Sequence, residues 1–191
     1  MLDNLLHERD VKVRAFSLED DLVLIVGRLI DIHPEPDEEA ARVERKAVGA
    51  LELGPVIHDM TLELEVSAKD FKIKAARARM QIVPHLECRD VEDSVQELVG
   101  LTVTSGFTMN VKERLGGAKS CAHLVSLVLT MAPVVVQVAK VERHVPIVKQ
   151  MAYLTDTCYM WRENGPVITR LTENENERLA TRPKPAGIAE G

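Results

Sequence analysis

Strict alternation of apolar and polar residues marks the first half of the chain, and longer apolar runs mark the second. Val11-Lys12-Val13-Arg14-Ala15-Phe16 alternates as a strand, and Leu22 to His33 is a long β-rich segment. The acidic turn Glu19-Asp20-Asp21 between them predicts an antiparallel hairpin. From Val56 to Val66 the period of two puts His58, Met60, Leu62, Leu64 and Val66 on one face. Asp59, Thr61, Glu63 and Glu65 take the other. His58 is therefore expected to point into the core. After a turn at Ser67-Ala68-Lys69-Asp70, Phe71 to Gln81 returns as a fourth strand, and a phase slip at Ala75-Ala76 predicts a bulge there.

Prolines and glycines divide what remains. Pro34-Glu35-Pro36 breaks the second strand, residues 37–50 read as a loop or a short helix, and Gly54-Pro55 resets the chain. Pro84 closes the sheet region, Asp90 caps a short helix from Val91 to Val99, and Gly100 ends it. Thr108 to Leu115 predicts a further helix, stopped by Gly116-Gly117. Ser120 then opens the longest hydrophobic stretch, a buried helix over about 120–139, which Pro133 should kink or break near Leu129 to Ala132. The expected fold is α+β, a four-stranded antiparallel sheet followed by helices packed on it. Residues 1–10 are expected to be a flexible start, 11–171 a single domain, and 172–191 a polar tail, disordered or strapped along the surface.

Composition narrows the function classes. The 191 residues are 46% hydrophobic and 28% charged, ordinary for a soluble protein with a sizeable core. A net charge of −6, from 24 basic and 30 acidic residues, argues against nucleic acid as a partner, and no run of four Lys/Arg offers a membrane surface. Cys121 to Ala139 is near spanning length but carries His123, Ser126, Thr130, Pro133 and Gln137, so it reads as a core helix. The first eight residues lack the basic and apolar regions of a secretory signal. Three cysteines then point to reduced thiols in a cytoplasm.

Chemistry concentrates at few positions. Cys121 and His123 fall in the opening turn of the long helix, where the dipole favours a thiolate and a neutral imidazole. Cys121, His123, Cys158 and His58 are the residues that could hold zinc or iron, although no Cys-x-x-Cys or His-Glu-x-x-His spacing is present. Arg114 precedes the glycine pair and could bring a positive charge to the helix mouth. In a chain with three Phe, two Tyr and one Trp, the grouping of Tyr153, Tyr159 and Trp161 around Cys158 suits a wall against an aromatic ligand. Gly-rich phosphate loops, nucleophile elbows and dinucleotide fingerprints are absent.

Several of these segments together resemble a bacterial family catalogued as domain of unknown function 2889. They are Gly27-Arg28-Leu29-Ile30-Asp31, Ile57-His58-Asp59-Met60, Pro84 with Cys88, Leu98-Val99-Gly100, Gly106-Phe107, Leu115-Gly116-Gly117, Cys121-Ala122-His123-Leu124 and Asp156-Thr157-Cys158-Tyr159. In that family the helix entry more often reads Gly-Cys-Thr-His-Leu; here Ser120 and Ala122 stand in place of the Gly and Thr. The resemblance implies a link to bacterial breakdown of lignin-derived aromatic dimers, by lyases that open a phenylcoumaran ring and release formaldehyde. Under that reading His58 and His123 are the base and the donor, and Arg28 or Arg114 stabilises the phenolate. Tyr159, Trp161, Tyr153 and Phe107 contact the aromatic substrate.

The resulting expectation is a cytoplasmic small-molecule lyase that needs no cofactor, with a small aromatic molecule as its partner. A metal-dependent enzyme and a non-catalytic ligand-binding or assembly protein are the rival readings. Whether the chain forms a homo-oligomer, and whether His58 and His123 meet, are left open by the sequence.

Overall fold

The computed structural model describes residues 5–33, 46, 49, 55–104, 106–142, 151 and 154–180. Most of residues 37–50, Tyr153 and the tail after Ala180 lie outside the described residues. The chain divides into two units, Met1–Arg143 and His144–Gly191.

The first unit is built on a four-stranded antiparallel sheet in the order β1-β2-β3-β4, comprising Glu8–Ser17, Leu22–Ile32, Val56–Ser67 and Ile73–Ile82. β1 begins at Glu8, inside the stretch expected to be a frayed start. The β1–β2 turn holds Asp20 and Asp21 at φ of 59° and 57°. Aspartate tolerates this left-handed region better than most residues, and such turns match the twist of the strands they join. The inner face of β2 carries Val23, Ile25, Gly27, Leu29 and Asp31, all of them buried. The inner face of β3 carries His58, Met60, Leu62, Leu64 and Val66, as the alternation requires. The register of β3 against β4 passes from Glu65–Ala75 to Val66–Ile73. The bulge therefore falls at Lys74 and not at Ala75-Ala76.

β4 is an edge strand, and its free side is covered. Leu86–Leu98 winds in 3-10 turns where a short helix was expected from Val91. Its side chains satisfy the edge backbone: Glu92 accepts from the Met80 N–H, while Arg89 donates to the carbonyls of Met80 and Gln81. Thr102 adds a bridge to Lys72. An edge so occupied cannot recruit a further strand.

Helix α1 (Phe107–Leu115) buries Phe107, Val111 and Leu115, and helix α2 (Ala122–Glu142) lies on the sheet. Leu124, Leu127, Val128, Met131 and Val135 are buried at the spacing of a single helix face. Each such Leu or Met contributes about 1.5–3 kcal/mol on leaving water. Gly27 sets how closely α2 seats: a Cβ there would lie 2.6 Å from Met131 Sδ and 2.9 Å from Leu127 Cδ1. Pro133 sits within α2, which runs on to Glu142 unbroken; a kink or a break was the expectation near Leu129 to Ala132. Proline leaves the Leu129 carbonyl without its usual donor. Packing of the face around it holds the helical course.

The second unit contains a short 3-10 turn, Tyr159–Trp161, and helix α3, Pro166–Ala180. The helix covers Thr172 to Ala180, part of the stretch expected to be a tail.

A histidine and arginine cluster on a buried carboxylate

Strand register assembles the site. Asp31 on β2 stands directly opposite Arg9 on β1 and directly opposite His58 on β3, so three neighbouring strands contribute one row. Helix α2 lays His123 over that row. The His58 and His123 rings are 4.0 Å apart between centroids, which answers whether they meet.

Asp31 is fully buried, and among the described residues every polar side chain in contact with its carboxylate is basic. Arg9 donates twice, Nε to Oδ1 at 2.6 Å and Nη2 to Oδ2 at 2.8 Å. His58 Nδ1 lies 3.1 Å and His123 Nε2 3.3 Å from Oδ2, and His7 Nε2 lies 3.4 Å from Oδ1. Burial works against the Asp31 charge, but the two Arg9 hydrogen bonds and the neighbouring imidazoles outweigh it and hold the carboxyl below its ordinary range. The Arg9 guanidinium is correspondingly held more firmly in its charged form by Asp31.

His58 is driven the other way. Burial, then the proximity of His123, lowers its pKa despite the pull of Asp31, so the ring favours its neutral form. Its Nδ1 is, among the described residues, the one buried side-chain nitrogen or oxygen with no hydrogen-bond partner. Nδ1 lies 3.1 Å from Asp31 Oδ2, outside the geometry of a full hydrogen bond, although the carboxylate still pulls the ring toward its charged form. A buried ring nitrogen in that condition calls for a role.

The helix entry differs from expectation in one residue. Ser120 is extended, and its hydroxyl shares a 2.7 Å hydrogen bond with that of Ser94. Cys121 takes the cap position, its carbonyl accepting the Val125 N–H at 3.1 Å. The Cys121 thiol lies 3.4 Å from His123 Nδ1. Burial raises the thiol pKa, but His123 and the backbone N–H groups of Leu124 and His123 lower it further, so the net shift is toward thiolate.

Arg28, Arg114 and Phe107 lie away from this cluster. Arg28 is on the outer face of the sheet, its Nε and Nη2 donating to Asp59 at 2.8 and 2.6 Å. That face has a shallow cavity of about 180 Å³ lined by Asp10, Lys12, Arg14, Arg28 and Thr61 among others. Arg114 is tied to the Glu97 carbonyl on the surface, and Phe107 is a core residue only 5% exposed. Tyr159, Trp161 and Cys158 belong to the second unit, where Arg162 covers the Tyr159 ring at 4.0 Å.

Among the described residues, Asp31, His58 and His123 are the set that could hold a cation, with one ligand atom each within 4.8 Å of one another. Of the four residues expected for zinc or iron, only His58 and His123 are in it. The Arg9 guanidinium already occupies both carboxylate oxygens. A dication there would have to displace that charge or sit against it.

Asp31 and Arg9 were missed from sequence. The parity of β2 places Asp31 on the same face as Val23, Ile25 and Leu29, which was the available signal. Comparison with curated proteins and with solved structures gives no match. With residues 7–137 matching its profile, the chain belongs to the family of proteins of unknown function designated DUF2889.

Proposed function

We propose that this chain is a cytoplasmic lyase that acts on a small aromatic molecule by acid–base chemistry without a cofactor. The observation that carries the reading is a half-buried imidazole, His58, whose pKa burial and His123 lower, held against a fully buried carboxylate by strand register. A base for a hydroxyl proton must be unprotonated near neutrality and must be held in place, and His58 meets both needs.

The substrate class is the phenylcoumaran dimer that the family resemblance implies. Such a dimer carries a hydroxymethyl group on the ring carbon adjacent to the one bonded to the ether oxygen. His58 takes the hydroxyl proton, and the carbon–carbon bond to the hydroxymethyl group breaks, releasing formaldehyde. Its electron pair forms a new carbon–carbon double bond as the ether carbon–oxygen bond opens. The phenolate so formed accepts the proton back from the His58 imidazolium. Electrons and protons balance within the substrate, and no oxidant or reductant is consumed. Arg9, about a third exposed beside Asp31, is the phenolate partner in place of Arg28 or Arg114. His7 adds a second basic group at the same rim.

Placement of Arg9 across the carboxylate favours this over the metal-dependent reading, for which the three-residue set around Oδ2 is the supporting observation. The free state of Cys88, Cys121 and Cys158 agrees with a reducing compartment. No helix among the described residues is long and apolar enough to cross a membrane.

The test is formaldehyde release from phenylcoumaran-type dimers by chain purified without added metal, before and after chelation. Release that chelation leaves unchanged supports the proposal. Release that chelation abolishes and zinc or iron restores would move it to the metal-dependent reading. No release from any dimer would overturn the substrate class.

A further inference from the structure

The acid–base scheme uses His58 and leaves Cys121 without a task, although the thiol is built into the same cluster. His123 presents Nδ1 to the Cys121 sulfur at 3.4 Å and Nε2 to Asp31 at 3.3 Å. This is the order nucleophile, base, orienting carboxylate, in which each member fixes the next. Two elements impose it. Asp31 comes from the inner face of β2, His123 is the second residue of α2, and Cys121 is the residue that caps it. Gly27 lets α2 come close enough for the row to form.

From this geometry we infer that Cys121 is a covalent nucleophile whose thiolate adds to the carbonyl carbon of a small aldehyde at the His58–His123 cluster. The sulfur forms a bond to carbon, and the carbonyl π pair moves onto oxygen. The proton held between Cys121 and His123 then passes from the imidazolium to that oxygen, giving a neutral hemithioacetal. The reverse step releases the aldehyde. Nothing is oxidised or reduced. The inference rests on the lyase reading for the identity of the aldehyde, since formaldehyde is what that reaction would leave at the cluster; the reactivity of the thiol does not depend on it.

The charges facing the sulfur agree with an anion. His123 from α2 is in contact, and the Arg9 guanidinium from β1 acts on it electrostatically. The N–H groups at the start of α2 point to it as well. Asp31 on β2 is the opposing charge, and Arg9 neutralises it through two hydrogen bonds. His58 on β3 completes the surroundings in its neutral form. The remaining cysteines serve as internal references. Cys88 is half-buried, with no histidine or arginine contact to its thiol among the described residues, and Cys158 is exposed.

The experiment is pulsed alkylation of the full chain with iodoacetamide at pH 6.5, read at each cysteine by peptide mass spectrometry. An unperturbed thiol of pKa about 8.5 is roughly 1% thiolate at that pH. Cys121 should therefore be modified at least about tenfold faster than Cys88, and His123→Gln should remove most of that advantage. In a second arm, run on a Cys88→Ser/Cys158→Ser background so that Cys121 is the one remaining thiol, ¹³C-formaldehyde should give a sulfur-bonded hydroxymethyl carbon signal, and none once Cys121→Ser is added. Alkylation of Cys121 no faster than Cys88, or equal in wild type and His123→Gln, overturns the inference. So does a formaldehyde signal that persists once Cys121→Ser is added. A reactive Cys121 in a chain that releases no formaldehyde from dimers would leave the nucleophile standing and remove the lyase reading. Release without a reactive thiol would do the opposite.

Discussion

The sheet carries the same ion pair twice, once on each face. On the inner face Arg9 grips Asp31 from the directly opposed strand position, and on the outer face Arg28 grips Asp59 across a diagonal. Both are two-pronged, with distances between 2.6 and 2.8 Å. Their surroundings differ. The Asp31 side chain is 1% exposed, with Arg9 at 36%, and is ringed by three histidines, whereas Asp59 is 11% and Arg28 54% exposed with no histidine among the described residues on the pair. Water screens the outer pair, so it contributes at most about 1 kcal/mol. The inner carboxylate has no water to fall back on, so its charge is maintained by the protein and in turn fixes the histidines. Identical chemistry makes a surface clasp on one side and a candidate site on the other.

Removing the base should have the largest effect. His58→Gln is expected to lower formaldehyde release by about 10²–10⁴-fold with the fold retained, checked by steady-state kinetics and circular dichroism. A comparable loss on replacing Arg28 would break the contrast between the faces. Stability gives the next test. Arg9→Ala strands a buried carboxylate and should cost about 2–3 kcal/mol in urea unfolding, below the range for a fully buried pair because Arg9 is partly exposed. Arg28→Ala should cost under about 1 kcal/mol. Gly27→Ala should cost about 1–3 kcal/mol by pushing Met131 and Leu127, and should lower turnover as well, because α2 carries His123.

Acid provides a finer test. Burial depresses the His58 pKa in the folded chain, so between that value and about 6.5 the unfolded chain binds more protons. Stability therefore rises with pH through that window, is complete above about 6.5, and is lost as pH falls through the folded value. The acid limb of the rate profile should fall in the same window. Asp31 has a depressed carboxyl pKa and acts lower: its contribution is present above about 3.9 and is lost as pH falls through its folded value. Replacing His58 should flatten the first window and leave the second.

Much of the inner face was legible from alternation, including the inward turn of His58 and the hairpin around Asp20-Asp21. The burial of α2 was legible from its apolar run. Asp31 was not seen because Leu22 to His33 reads as one continuous apolar segment, in which a single aspartate near the end looks like the start of a loop. Arg9 was hidden by its closeness to the N-terminus. Parity alone gives the face of each residue but not its cross-strand neighbour. The row Arg9–Asp31–His58 depends on hairpin register and on a β2–β3 connection whose length carries no register signal. The cap moved from Ser120 to Cys121 because Ser94 offered the serine hydroxyl a partner of its own, a contact no local pattern encodes.

The central claim is that the carboxylate on the inner face organises the chemistry and its counterpart does not. Formaldehyde release from a phenylcoumaran dimer, measured per folded molecule for Asp31→Asn and Asp59→Asn, tests this most directly. The expected result is a loss of at least about 100-fold for Asp31→Asn and less than about twofold for Asp59→Asn. Equal activity in the two variants would contradict the account.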